Sequence, residues 1–251
     1  MKCKLSLAIV VLAVIAVVAR AEDVVGRPIE SWQPGMLDIH QISTGRGNAG
    51  LYIFPDGTTL LVDAGELPGA NPKHTPARPD DTRRAGEWVV RYVHHALRHD
   101  PQPALDYVLL THFHQDHMGE VAADMPVSTH GYTLTGVTRV VEDLRVGKLL
   151  DRGWPDYTNA VQAESPFMKN YLACVKWQAA QNGLQVERFV PGRNYQVVLR
   201  RQPQKYPQFE FRNVAANGEI WTGQGSATEH KMPPLDTIPR NKWPDENVFS
   251  I

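Results

Sequence analysis

Apolar and polar residues alternate over residues 37–43, which is the two-residue period of a half-buried strand. Two apolar runs follow, Leu51-Tyr52-Ile53-Phe54 and Leu60-Leu61-Val62, separated by Pro55-Asp56-Gly57-Thr58. Asp-Gly between apolar runs predicts a hairpin. A polar, proline-rich loop then runs through Asp81. Over residues 82–98, Trp88, Val89, Tyr92, Val93, Ala96 and Leu97 recur at spacings of three and four. That spacing predicts an amphipathic helix, with Asp80 or Asp81 as cap. Residues 106–110 read as a strand, 137–144 as a short helix and 148–151 as another strand. A longer helix is predicted over 165–181, with Phe167, Tyr171, Cys174, Val175 and Ala179 inward and Asn182-Gly183 as its C-terminal stop. Strands are expected near 185–190, 195–199, 209–215 and 220–222. Residues 245–251 run from a polar turn into what reads as a fresh strand ending on an apolar residue.

The chemistry concentrates at the end of the strand over 106–110. There the chain reads His112-Phe113-His114-Gln115-Asp116-His117, followed by Gly119. In extended backbone alternate side chains share a face, so His112 and His114 point toward one ion. A turn after them brings Asp116 and His117 toward a second. Three imidazoles and a carboxylate form the mixed N/O set that zinc accepts. Two ions about 3.5–4 Å apart would polarise a hydroxide between them. The other histidines carry less. His94, His95 and His99 belong to a solvated helix face, and His130 and His230 are isolated. Asp63, at a strand end, suits a carboxylate that fixes the tautomer of a ligating imidazole. The loop over 45–50 is placed to approach the site.

The segment His112-x-His114-x-Asp116-His117 resembles the H-x-H-x-D-H motif of the metallo-β-lactamase fold. Pro55-Asp56-Gly57 in the turn and Asp63-Ala64-Gly65 after the second strand are similar to the metallo-hydrolase domain of ComEC-like DNA-uptake competence proteins and their stand-alone relatives. The resemblance covers residues 37–119 well and the remainder weakly. It implies an αββα sandwich, of which the N-terminal part is expected here. It also implies two divalent ions, zinc first and manganese or iron next, held by His112, His114, Asp116 and His117. Asp116 would hold one ion and orient the nucleophile, which is a metal-bound hydroxide attacking a phosphodiester. The alternatives are a lactonase or β-lactamase activity, or a metal-binding module without catalysis. In the family, a Gly-Asp and a late His complete the metal sites. Neither follows the motif here, so the domain over 37–251 is expected to be C-terminally truncated and the chain as given inactive. Asp245, His130 and His230 are the residues that would have to substitute.

Lys2 and Lys4 precede an apolar stretch over 5–18, and Ala19-Arg20-Ala21 has the form of a cleavage site. This reads as a signal peptide over 1–21, leading through a segment over 22–36 to the domain. The stretch is shorter than the ~20 residues of a spanning helix, so no stable membrane span is expected after cleavage and the protein is expected to be secreted or periplasmic. Cleavage after Ala21 would leave 23 basic against 27 acidic residues. That argues against generic nucleic-acid binding, which uses a basic footprint, but leaves room for a local basic groove. One cysteine, Cys174, would remain, so no internal disulfide supports the fold. It reads as a core residue.

Overall fold

The computed structural model describes residues 28–67, 74–76, 78–233 and 235–251. The expected leader over 1–21 lies outside them. Six strands form one mixed sheet in chain order: β1 (Asp38–Gln41), β2 (Gly50–Ile53), β3 (Thr59–Val62), β4 (Ala104–Leu109), β5 (Arg145–Asp151) and β6 (Gln185–Arg188). β1, β2 and β3 are antiparallel, as the Asp-Gly turn requires, with Leu51 opposite Leu61. β3 through β6 are parallel, with Leu61 beside Val108 and Val108 beside Leu149. Each parallel connection passes through helix: α1 (Ala85–Ala96) before β4, α2 (Gln115–Met118) and α3 (Gly136–Asp143) before β5, and α4 (Pro166–Gln181) before β6. A small antiparallel sheet follows, made of β7 (Ala215–Ala216), β8 (Glu219–Trp221) and β9 (Thr228–His230). Residues 32–251 form one compact unit. Among the described residues no helix is long and apolar enough to cross a membrane.

The sheet is apolar on both faces. Leu51, Leu61, Val108 and Leu149 meet Val89 and Val93 of α1, Val137 and Val140 of α3, and Phe167, Tyr171 and Cys174 of α4. Leu60, Tyr107, Leu109 and Leu150 point the other way, onto Phe54, Phe189, Val197, Leu199 and Ala216. The anticipated missing layer therefore does not leave this face bare. A mainly irregular segment covers it, together with the small sheet. Strands expected over 195–199 and 209–215 do not form, apart from Ala215 in β7. Side chains, rather than a neighbouring strand, receive N–H groups of Val198 and of the residues just after the first of these segments. Val198 N–H donates to the Tyr107 hydroxyl (3.2 Å), Arg200 N–H to Thr58 Oγ1 (2.7 Å), and the N–H groups of Arg201 and Gln202 to Asp56 Oδ2 (2.8 and 2.9 Å).

Two further expectations are corrected. Asp80 and Asp81 do not cap α1. Its cap is Arg84, whose N–H donates to Glu87 Oε2 (3.2 Å), while Asp80 closes a turn onto Thr82. The C-terminal segment is no strand either. It is a 3₁₀ turn, Glu246–Phe249, started by Asp245 Oδ1 accepting from Asn247 N–H (3.0 Å). Phe249 and Glu246 are fully buried, and Ile251 N–H donates to the Thr111 carbonyl (3.0 Å).

Candidate metal centre

β4 delivers the chain to the carboxyl end of the sheet, and Leu110 extends the pairing through its N–H to the Leu150 carbonyl. His114 is still extended, with φ −110° and ψ 154°, before Gln115 starts the single turn of α2. The rings of His112 and His114 are 5.0 Å apart and nearly perpendicular. The ring of His117 returns to within 4.0 Å of His112. His117 Nε2 and Asp116 Oδ2 are 3.9 Å apart.

Asp63 organises the cluster. It is fully buried, and its φ of 58° turns the chain sharply at the end of β3, a region Asp tolerates better than most residues. Oδ1 accepts from Thr111 N–H (2.8 Å). Oδ2 accepts from the Thr111 hydroxyl (2.9 Å) and Asn48 Nδ2 (3.1 Å), and lies 2.8 Å from His117 Nδ1. With Nδ1 engaged, His117 presents Nε2 outward. Gly65 explains the rest of the Asp-Ala-Gly wording. A Cβ there would lie 1.8 Å from the Asp116 carbonyl oxygen, so no side chain fits. Asn48 N–H donates to that same oxygen (2.7 Å), which ties the loop over 45–50 to the motif as anticipated.

Electrostatics separates the imidazoles. Burial pushes His112 down to about 4, with help from the neighbouring His117 and His114, so it is neutral with its lone pair free. Its Nδ1 is 3.1 Å from the Thr111 hydroxyl, while its buried Nε2 has no partner. His117 moves the other way. Burial pulls it down, but the hydrogen bond and charge of Asp63, aided by Asp116, outweigh that and raise it.

In type, imidazole and carboxylate side chains are donors that divalent ions accept. Two imidazoles on one tetrahedral zinc have ring centres ~5 Å apart, as follows from Zn–N bonds of ~2.0–2.1 Å. His112 and His114 match that spacing, and the orphaned Nε2 of His112 is a free donor. They do not form a finished coordination sphere: among the described residues, no three His, Cys, Asp or Glu side chains are disposed around one ion. His112 is brought to both His114 and His117, but Asp116 stands beyond hydrogen-bonding distance of His117.

The other candidates resolve plainly. His94, His95 and His99 are exposed on or just after α1. His130 stacks on Trp177 at 3.5 Å, and His230 is exposed on β9. Cys174 is buried in the core with its thiol pushed up to about 12, chiefly by burial. Asp245 is the terminal residue that feels the cluster. Hydrogen bonds from Asn247 hold its carboxyl below the usual range, with smaller contributions from His114 and His112.

Sequence reasoning missed Thr111, Asn48 and Glu246 as parts of the site. Thr111 had a local signal, since it directly precedes His112. Glu246 had none. Its Oε1 accepts from Phe113 N–H (3.0 Å) across a separation of 133 residues, between the two histidines. No family model matches the chain, and no curated protein matches it significantly in sequence.

Proposed function

We propose that the chain carries the histidine site of an exported metal-dependent hydrolase of the metallo-β-lactamase type, acting on phosphodiesters. The observation that carries this reading is the gathering of His112, His114 and His117 at the end of β4, with Asp63 holding His117 from behind. The sheet order supports the fold assignment: an antiparallel hairpin leads into parallel strands and the motif follows the fourth. Export rests on the charge and length pattern of residues 1–21.

His112 and His114 would hold one divalent ion through their ring nitrogens, and His117 and Asp116 a second. Such a pair supplies a polarised water and charge neutralisation at the scissile group. Asp63 Oδ2 keeps the proton on His117 Nδ1 and so keeps Nε2 available. Thr111 restrains the His112 ring. Asp116, holding the second ion with His117, would orient the attacking water. Two protein donors per ion fall short of the usual three, so turnover by this chain is expected to be slow or absent.

A second reading, a metal-binding module without catalysis, is favoured by the lack of three converging donors among the described residues. Zinc uptake by the 251-residue chain, followed by elemental analysis and by the absorption of the cobalt derivative, tests both. Uptake should fall at least tenfold in His114→Ala and stay unchanged in His95→Ala. Equal behaviour of the two variants, or no uptake by the parent, removes the metal site. Metal-dependent cleavage of bis(p-nitrophenyl) phosphate supports the hydrolase, uptake without cleavage supports the module, and nitrocefin cleavage moves the substrate to lactams.

A further inference from the structure

A groove of about 680 Å³ lies along α1, between the end of β1 and the chain at Arg78 and Pro79. Its volume falls within the ~300–1,000 Å³ of small-molecule sites. Its lining is one-sided in charge. Arg78, Arg91, His94 and His95 line it with Trp88 and Tyr92, and among the described residues no carboxylate does. The chain as a whole is nearly balanced in charge, so composition alone does not produce such a wall. Elsewhere Arg84, Arg139, Arg188 and Arg201 each hold a carboxylate. Arg78 and Arg91 have no hydrogen-bond or ion-pair partner among the described residues.

The aromatic side of the groove is fixed in advance. Trp88 Nε1 donates to the Asp80 carbonyl (3.3 Å), and the Tyr92 hydroxyl is 3.0 Å from His40 Nδ1. The Arg91 guanidinium lies 5.7 Å from the centre of the Trp88 ring. Aromatic faces beside unpaired guanidinium groups take a ligand with a planar ring and an anionic group. A smaller cavity of about 210 Å³ shares Ser43, Arg78 and Trp88 with the groove and continues past Thr44 to Glu66. Behind that wall Thr44 Oγ1 and Glu66 Oε1 are buried without a hydrogen-bond partner, and Glu66 Oε1 lies 3.9 Å from Arg84 Nη1. Glu66 N–H donates to the Gln115 carbonyl (3.4 Å), so this cavity backs onto the turn that bears Asp116 and His117.

We propose that the groove binds a nucleoside phosphate, with the phosphate on Arg78 and Arg91 and the planar base against Trp88 and Tyr92. Guanidinium supplies paired N–H donors to phosphate oxygens.

Calorimetric titration of the 251-residue chain with adenosine 5′-monophosphate, in EDTA so that no metal contributes, tests the assignment. One saturable site is expected. Affinity should drop about tenfold or more in Arg91→Gln and in Trp88→Leu, and should weaken as salt is raised. Inorganic phosphate and adenosine should each bind more weakly than the nucleotide. Arg145→Gln, on β5, should bind as the parent does. No binding by folded protein, equal binding by Arg91→Gln and Trp88→Leu, or adenosine binding as tightly as its phosphate each overturns the assignment. The zinc titration separates the two readings. Zinc uptake without nucleotide binding removes the groove alone, and nucleotide binding without zinc uptake keeps the groove and removes the proposed metal site.

Discussion

Replacing Glu246 by Gln should destabilise the whole domain and loosen the histidine loop together. Glu246 and Arg152 form an ion pair in which neither side chain is exposed to solvent. Arg152 donates from Nε (2.7 Å) and from Nη2 to the same Oε1 that receives Phe113 N–H, while Oε2 receives Val161 N–H (3.1 Å). The guanidinium also sits between the rings of Phe113 (4.7 Å) and Phe249 (5.0 Å). Glutamine keeps the shape but leaves Arg152 buried without its counter-charge, which costs ~3–5 kcal/mol. Its amide nitrogen would also face the Val161 N–H or the Phe113 N–H, donor against donor, for a further ~1–3 kcal/mol if unrelieved. Against a total of ~5–15 kcal/mol, that is a large fraction of stability. With a urea m-value of ~2–3 kcal/mol/M, the unfolding midpoint should fall by ~1–4 M. Zinc uptake should weaken as well, because the Phe113 N–H lies between His112 and His114. The double variant Arg152→Met, Glu246→Leu should regain much of the loss, since well-packed apolar residues can replace a buried pair. A Glu246→Gln midpoint within ~0.3 M of the parent would refute the reasoning, because it would mean that the pair is solvated or dispensable.

Three other outcomes are expected. Asp63→Asn should weaken zinc about 10–100-fold, as loss of a carboxylate behind a ligating histidine does. In the metal-free protein the same variant should lower the His117 pKa seen by NMR. Since His117 is raised above 6.5, its ion pair with Asp63 adds stability that is full below that value and is lost as pH rises through the folded pKa. The gap in stability between parent and variant should therefore narrow at alkaline pH, and an unchanged His117 titration would exclude the contact. Cys174 should resist a thiol reagent at pH 8 in the folded protein and react in urea, as its thiol is buried and pushed up to about 12; fast native labelling would contradict this. Glu66→Gln should be tolerated or stabilising at neutral pH. Burial raises the Glu66 carboxyl, although its Oε2 receives Gly86 N–H (2.9 Å) and Gly136 N–H (3.1 Å) at the starts of α1 and α3. The advantage of the variant should shrink as pH falls through the folded pKa, where the native carboxyl becomes neutral, and an advantage that grows toward acid would reverse the sign.

The sequence determined the local elements and the clustering of three histidines and an aspartate after the fourth strand. The Asp-Gly turn, the three-and-four spacing of α1 and the serine that caps α4 act within a few residues, so their outcome is readable from order alone. The same holds for His112 and His114, whose alternation in extended backbone sets their common face. Tertiary structure decided whatever depends on residues far apart in the chain. The segment over 195–199 has the pattern of a strand, but the Tyr107 hydroxyl takes the Val198 N–H and donates to the Val198 carbonyl, and Thr58 and Asp56 hold the residues that follow. The terminal segment reads as a strand with no partner, yet Glu246 finds Arg152 and the Phe113 N–H and bends it into a 3₁₀ turn instead. Even the raised His117 and depressed His112 come from burial and from Asp63 some fifty residues upstream, not from the motif that contains both. Hydrogen-bond donors and buried charges take the partners that folding brings within about 3 Å, and a one-dimensional pattern holds no record of that distance.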